Sequence, residues 1–178
     1  MARAGLDDIL MTYNIVGKQK VHRLVELARF RRMTVTVDSL AVAEGISEQA
    51  ATDGVTIGVL VEFDSGGNRT GVQSPSAVEE LGKQIQLLPG LELRGLMTYP
   101  SRISSKRLVD ETIDKFKKSN LPLDIISGGG TGEEWESKEL GFTEHRSGSY
   151  VYEGLSRIKG SGDGSDLSPE RCPLRVVT

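Results

Sequence analysis

The run from Thr56 to Phe63, TIGVLVEF, constrains the fold more than any other stretch, because it is apolar on both of the faces that a strand presents. A strand buried on two sides belongs in a parallel sheet covered by helices, since a half-solvated antiparallel strand alternates apolar with polar residues. The flanking sequence agrees. Ala2-Arg3-Ala4-Gly5 reads as the last turn of a helix closed by Gly5, as though the chain starts partway through a repeating unit. Asp8 to Val16 reads as a buried strand centred on Ile9 to Tyr13, and Gly17 leads into a helix from Lys18 to Arg32. Val21, Leu24, Val25 and Ala28 recur there at helical spacing. Met33 to Val37 is a β-branched strand, and Leu40 to Asp53 is a second helix ended by Gly54.

The alternation continues past Phe63. A polar, glycine-rich loop from Asp64 to Gly71 precedes Ser74, a good N-cap with Pro75 at the first helical position. Val78, Leu81, Ile85 and Leu88 mark that helix, which Pro89-Gly90 closes. Leu91 to Thr98 is a strand broken by Gly95, and a helix from Ser101 to Ser119 carries Val109, Ile113 and Phe116 inward. A strand from Leu123 to Ile126 then ends in Ser127, Gly128, Gly129, Gly130, Thr131 and Gly132. A shorter helical piece spans Glu134 to Leu140, and Phe142 to Arg146 is a sixth strand entering Ser147-Gly148-Ser149-Tyr150. Six strands alternating with helices define an α/β parallel fold, either an open doubly wound sheet or a (β/α) barrel. The polar and glycine residues fall just past strand C-termini, where both architectures bind ligands and where a barrel gathers them into one mouth.

Composition narrows the function classes. The 178 residues suffice for one globular domain, and 22 basic against 25 acidic residues are interleaved, leaving no basic stripe for nucleic acid or a membrane surface. A small-molecule partner is the expectation. The single cysteine, Cys172, cannot form an internal disulfide, and neither an export signal nor a spanning apolar run is present, so the cytoplasm is the expected location. His22 and His145, the two histidines, lack a carboxylate at ligand spacing, and no metal site is expected. The glycine run permits two readings. Its N–H groups converge to hold an anion such as a phosphate, or it is a flexible connector.

Taken together, Thr34 to Ser39, Glu62 to Val72, Gly95 to Tyr99, Ser127 to Gly132 and Gly148 to Tyr152 carry a resemblance to the D-threonine aldolase and D-serine dehydratase family. More distantly they resemble the N-terminal barrel of alanine racemases; all of these are fold-type III pyridoxal-phosphate proteins. The resemblance implies a parallel (β/α) barrel over residues 1–153. It implies pyridoxal 5′-phosphate as cofactor, D-amino acids with a β-hydroxyl as substrates, and lyase chemistry. Carried over by position, it makes Ser127, Gly128, Gly129, Gly130, Thr131 and Gly132, with Gly148 and Ser149, the phosphate cradle. Tyr99 stacks on the pyridine ring, Arg69 lies at its 3-oxygen edge, and Arg146 faces its nitrogen.

Two parts of the family pattern are missing. No catalytic residue is assigned, because the Schiff-base lysine motif of the first barrel strands has no match. Lys18, Lys20, Lys83, Lys106, Lys115, Lys117, Lys118, Lys138 and Lys159 all fall on predicted helices or loops. The C-terminal β-domain with the family's metal ligands is also missing, leaving 154–178 as a loop and the start of a truncated β-domain. A whole barrel takes roughly 250 residues, so about six of eight βα units are expected here. Unpaired edge strands leave a homodimer open as a form of self-association. A non-catalytic module that binds pyridoxal phosphate or another phosphorylated small molecule is the alternative to an enzyme portion.

Overall fold

The computed structural model describes residues 1–148. Its elements alternate throughout: β1 (Asp8–Met11), α1 (Lys18–Ala28), β2 (Arg32–Val37), α2 (Leu40–Asp53), β3 (Ile57–Phe63), α3 (Pro75–Gln86), β4 (Leu91–Thr98), α4 (Lys106–Lys118), β5 (Ile125–Gly129), α5 (Glu134–Glu139) and β6 (Glu144–Arg146). The six strands are all parallel and pair in sequence order, β1 through β6. A doubly wound sheet reverses its strand order partway across, and this sheet does not, so the barrel topology is the one adopted. Residues after β1 and residues after β5 and β6 line one cleft, which shows the sheet curling into a half-barrel. The loop and truncated β-domain expected at 154–178, together with Ser149 and Cys172, lie outside the described residues.

Alternation along each strand separates two environments. Met33, Val35 and Val37 of β2, and Ile57, Val59, Val61 and Phe63 of β3, share one buried cluster with Val25 of α1, Ile46 of α2, Ile85 of α3 and Phe116 of α4. Each such side chain contributes roughly 1.5–3 kcal/mol when fully buried. Leu60 and Met97 are buried yet lie outside that cluster, on the concave side of the sheet. Thr34, Thr36 and Glu62 share their alternation and are buried with them. The concave side therefore mixes polar with apolar side chains, and it leads to the strand C-termini.

Several elements differ from their sequence-predicted bounds, each for a tertiary reason. β1 ends at Met11 and does not run to Val16: its ladder with β2 stops at the Met11–Val35 pair, although β2 itself continues to Val37. α1 stops at Ala28, short of Arg32, whose N–H donates to the Asp7 carbonyl at 2.8 Å and joins β2. α4 starts at Lys106, after a 3₁₀ turn at Ile103–Ser105, and not at Ser101. The Ser101 N–H donates to the Gly129 carbonyl at 3.0 Å while Ser101 Oγ accepts the Gly129 N–H at 2.7 Å, so that residue extends the β4–β5 pairing. β5 continues through Ser127, Gly128 and Gly129 instead of ending at Ile126. β6 begins at Glu144 because Phe142 turns its ring onto Gly128.

Gly95 does not break β4. It forms a bulge: Val59 pairs with Leu93 but Leu60 pairs with Gly95, leaving Arg94 as the extra residue. At φ 143° a Cβ on Gly95 would lie 1.9 Å from the Ile125 carbonyl oxygen, so only glycine permits the approach of β5. Gly95→Ala is expected to destabilise the fold by on the order of 3 kcal/mol or more. Urea unfolding monitored by circular dichroism measures it, and an unchanged midpoint would refute the bulge as a required close contact.

Candidate active site at the barrel mouth

The strand C-termini surround a cleft of about 240 Å³ lined by Thr12, Tyr13, Arg69, Met97, Tyr99, Gly130, Thr131, Arg146 and Gly148. A wider hollow of about 770 Å³, bounded by Ala2, Arg3, His22 and Phe30 among others, lies on the outer face of α1, away from the strand C-termini. The chemistry-bearing side chains converge on the smaller cleft.

The loop after β3 is built to present Arg69. Asp64 Oδ1 accepts N–H bonds from Gly66 at 2.8 Å, Gly67 at 2.7 Å and Asn68 at 3.2 Å. The loop closes where Val72 N–H donates to the Glu62 carbonyl and Asp64 N–H donates to the Val72 carbonyl. Burial pushes the Asp64 carboxyl up, but those N–H donors and the Gln73 amide outweigh it and hold the group below the usual carboxylate range. Arg69 at the exposed tip places its guanidinium 4.7 Å from the centre of the Tyr99 ring, a cation–π contact. Two residues singled out from separate loops thus meet in one cleft.

Arg146 is fixed from below. Its Nε donates to Ser127 Oγ at 2.9 Å and an Nη donates to the Thr98 carbonyl at 2.9 Å. A Cβ on Gly129 would come within 3.0 Å of the guanidinium. Burial lowers the Arg146 pKa, with the Glu144 and Glu62 carboxylates opposing. Glu62, 4% exposed, accepts from Thr70 Oγ1 at 2.5 Å. Burial raises its carboxyl above the ordinary value and the Asp38 carboxylate adds to that, against the Thr70 hydroxyl, Arg69 and Arg146.

The glycine run divides into two halves. Ser127, Gly128 and Gly129 are strand residues committed to packing: Ser127 holds Arg146, Gly129 donates to Ser101, and a Cβ on Gly128 would lie 2.4 Å from both Phe142 Cδ2 and Ser101 Oγ. Gly130 and Thr131 line the cleft with Gly148. Gly132 is exposed at the start of the α5 turn, where its N–H donates to the Glu134 carboxylate at 3.0 Å. Lys18 and Lys20 lie on α1, Lys83 on α3, Lys106, Lys115, Lys117 and Lys118 on α4, and Lys138 on α5; Lys159 lies outside the described residues. Among the described residues no three His, Cys, Asp or Glu side chains are grouped to hold a metal, and no helix is long and apolar enough to cross a membrane.

Sequence reasoning missed Thr12, Tyr13, Met97 and Glu62. Glu62 carried a signal, being the one charged residue in an otherwise apolar strand. Thr12 and Tyr13 carried only their place at a strand end.

Known proteins match this arrangement. The family model for the alanine racemase N-terminal domain matches residues 1–156. A D-threonine aldolase from Arthrobacter sp is 31% identical over 84% of this chain and 43% of its own length. A 3-hydroxy-D-aspartate aldolase from Paracoccus denitrificans (strain Pd 1222) is 29% identical over 85% of this chain and 43% of its own. The crystal structure of D-threonine aldolase from Filomicrobium marinum superposes with a TM-score of 0.81 at 29% identity, covering 85% of this chain and 45% of that one. The chain thus spans less than half the length of these relatives. With the sheet order and a family match over all of the described residues, the chain belongs to the alanine racemase N-terminal domain family, a family of fold-type III pyridoxal-phosphate proteins.

Proposed function

We propose that this chain is the pyridoxal-phosphate-binding barrel portion of a D-threonine aldolase/D-serine dehydratase-like enzyme acting on D-amino acids with a β-hydroxyl. The observation that carries the reading is the convergence of Arg69, Tyr99, Gly130, Thr131, Arg146 and Gly148 on one cleft at the strand C-termini. Two of the similar proteins are named for β-hydroxylated D-amino acids, a D-threonine aldolase and a 3-hydroxy-D-aspartate aldolase, which supports the substrate class.

The donor set fits the cofactor. The loop from Gly130 to Gly132, with Gly148 and Ser149, is the phosphate cradle, a role that needs no lysine, and it is shaped by the Gly130 N–H donating to the Arg146 carbonyl and the Gly132 N–H donating to the Glu134 carboxylate. Ser127, Gly128 and Gly129 serve the cradle by packing, keeping Arg146 and the following loop in place. Tyr99 offers a ring face for the pyridine, Arg69 a cation for the ring oxygen, and Arg146 a guanidinium for the ring nitrogen. When bound, the cofactor supplies an electron sink for charge developing at the amino acid's Cα. Among the described residues the lysines lie on helices, which supports the reading that this chain alone binds the cofactor without a covalent link and does not turn over.

Arg69 is exposed and its side chain supports no core packing. Arg69→Ala is expected to weaken pyridoxal-phosphate binding about tenfold with unchanged thermal stability. Equilibrium dialysis against the full chain measures it, and wild-type affinity in the variant would remove Arg69 from the site. Borohydride reduction followed by intact mass is expected to leave no cofactor attached. A retained mass, or cleavage of D-threonine or dehydration of D-serine well above free pyridoxal phosphate, would overturn the non-covalent reading.

Glu62 gives a pH signature. Its folded-state carboxyl titrates above the ordinary value of 4.5, so its stability contribution is full below that value and is lost as pH rises through the raised one. Glu62→Gln keeps an acceptor for Thr70 without the charge. The variant is expected to be more stable than wild type at neutral pH, by on the order of 1 kcal/mol or a few degrees in Tm, with the gap closing as pH falls to the ordinary glutamate range. Thermal melts across that range that run parallel for the two proteins would contradict it.

A further inference from the structure

His145 lies on β6 between Glu144 and Arg146, and the alternation that turns Arg146 to the concave side turns His145 toward α5. Both ring nitrogens are engaged there: Nε2 lies 2.7 Å from the Gly130 carbonyl oxygen and Nδ1 lies 2.6 Å from Ser137 Oγ. A carbonyl oxygen only accepts, so Nε2 carries the proton and, in the neutral ring, Nδ1 accepts from the Ser137 hydroxyl. Ser137 is 3% exposed on α5, and Phe142 N–H donates to its carbonyl at 3.1 Å, so the partner of Nδ1 is itself held in place.

The bond to Gly130 acts on the cleft through the geometry of one peptide group. The Gly130 carbonyl and the Thr131 N–H belong to the same planar trans unit and point in opposite directions. Drawing the carbonyl out toward α5 turns the Thr131 N–H the other way, to the side where Gly130 and Thr131 line the mouth. Gly130, at φ 135°, has no Cβ to select one orientation of that peptide. The imidazole makes the selection at the shorter distance, beside the Ser147 hydroxyl that donates to the same carbonyl at 3.5 Å and the Gly130 N–H that donates to the Arg146 carbonyl at 3.3 Å.

We propose that His145 is a positioning residue for the anion-binding loop, fixing the Gly130–Thr131 peptide with its N–H toward the barrel mouth through the Nε2–H bond to the Gly130 carbonyl. The consequence for a bound phosphate rests on the function proposed above; the orientation of the peptide does not.

Two experiments on the full chain test this. The chain has two histidines, so ¹⁵N-imidazole NMR with His145→Gln for assignment reads the tautomer directly. A protected Nε2–H is expected, and an Nδ1–H tautomer or a rapidly averaging mixture overturns the proposal. The second compares His145→Phe, which removes the donor, with His145→Gln, whose side-chain amide restores one. Affinity for inorganic phosphate and for pyridoxal phosphate is expected to fall at least about tenfold in the phenylalanine variant and to stay within about threefold of wild type in the glutamine variant. Wild-type affinity in both variants, or equal loss in both, overturns the positioning role. If His145→Phe does not fold, Ser137→Ala replaces it: release of Nδ1 is expected to mix the tautomers and lower phosphate affinity, and no change in either overturns the proposal. Absence of phosphate and pyridoxal-phosphate binding in the wild type strikes the proposed function instead. The tautomer, with faster Thr131 amide exchange in the donor-less variant, then still decides the placement.

Discussion

Each parallel pairing in this sheet obliges the chain to cross back through a helix before the next strand begins, and because the crossovers run in one direction every strand C-terminus arrives at the same end. The site follows from that constraint. Thr12 and Arg146 are far apart in sequence yet line one cleft only because the sheet curls as strands are added in order. Two places along the sheet have no room for a Cβ. At Gly95 the β5 carbonyl of Ile125 occupies the space, and at Gly128 the hydroxyls of Ser101 and Ser137 and the Phe142 ring occupy it.

The glycine run therefore meets two demands that look alike in a sequence. Glycine is required for packing where a Cβ would collide, as at Gly128, and for conformation where φ is positive, as at Gly130 and Gly132. A reader of the sequence sees one punctuation signal and ends the strand at Ile126. The fold places the boundary three residues later, at Gly129, because Ser101 continues the ladder beside it. Ser127 looks like the first residue of a loop and is a buried strand residue that fixes Arg146.

What could be read in advance was what local chemistry decides. The helix from Leu40 to Asp53 and the strand from Leu91 to Thr98 stand where periodicity, Gly54 and Pro89-Gly90 put them, and the Ser74 cap accepts the Ala77 N–H as expected of a serine before proline. Element ends that depend on a distant partner were not legible: α1 yields Arg32 to β2 because the Asp7 carbonyl takes its N–H, and no periodicity encodes that. The same limit applies to the site. Arg69 and Tyr99 announce themselves by residue type at strand ends, whereas the engagement of His145 by Gly130 and Ser137 exists only once β6 and α5 are packed together.

The charges at the mouth show what such a site costs the fold. Arg146 is half-buried with its guanidinium donating to a hydroxyl and a carbonyl, not to a carboxylate, so its positive charge is held in place without being neutralised by contact. Glu62 is buried and, among the described residues, only a hydroxyl donates to its side chain; it is close enough to Asp38 to be pushed upward and to Arg69 and Arg146 to be partly relieved. A core selected for stability alone would place apolar side chains at both positions, as replacement of buried charges by packed hydrophobes is often neutral or favourable. Here each charge lies within electrostatic reach of the others but outside the ion-pair distances formed elsewhere in the chain, such as 2.7 Å between Arg29 and Asp53. Arginines left in that condition retain the attraction for an anion that a closed salt bridge would have satisfied internally, and the buried glutamate keeps their field from accumulating unopposed. On the proposed function, the burial of Glu62 and the Arg146 guanidinium, which forms no ion pair among the described residues, are two sides of one arrangement, in which the barrel mouth holds charge for a ligand at the expense of the fold.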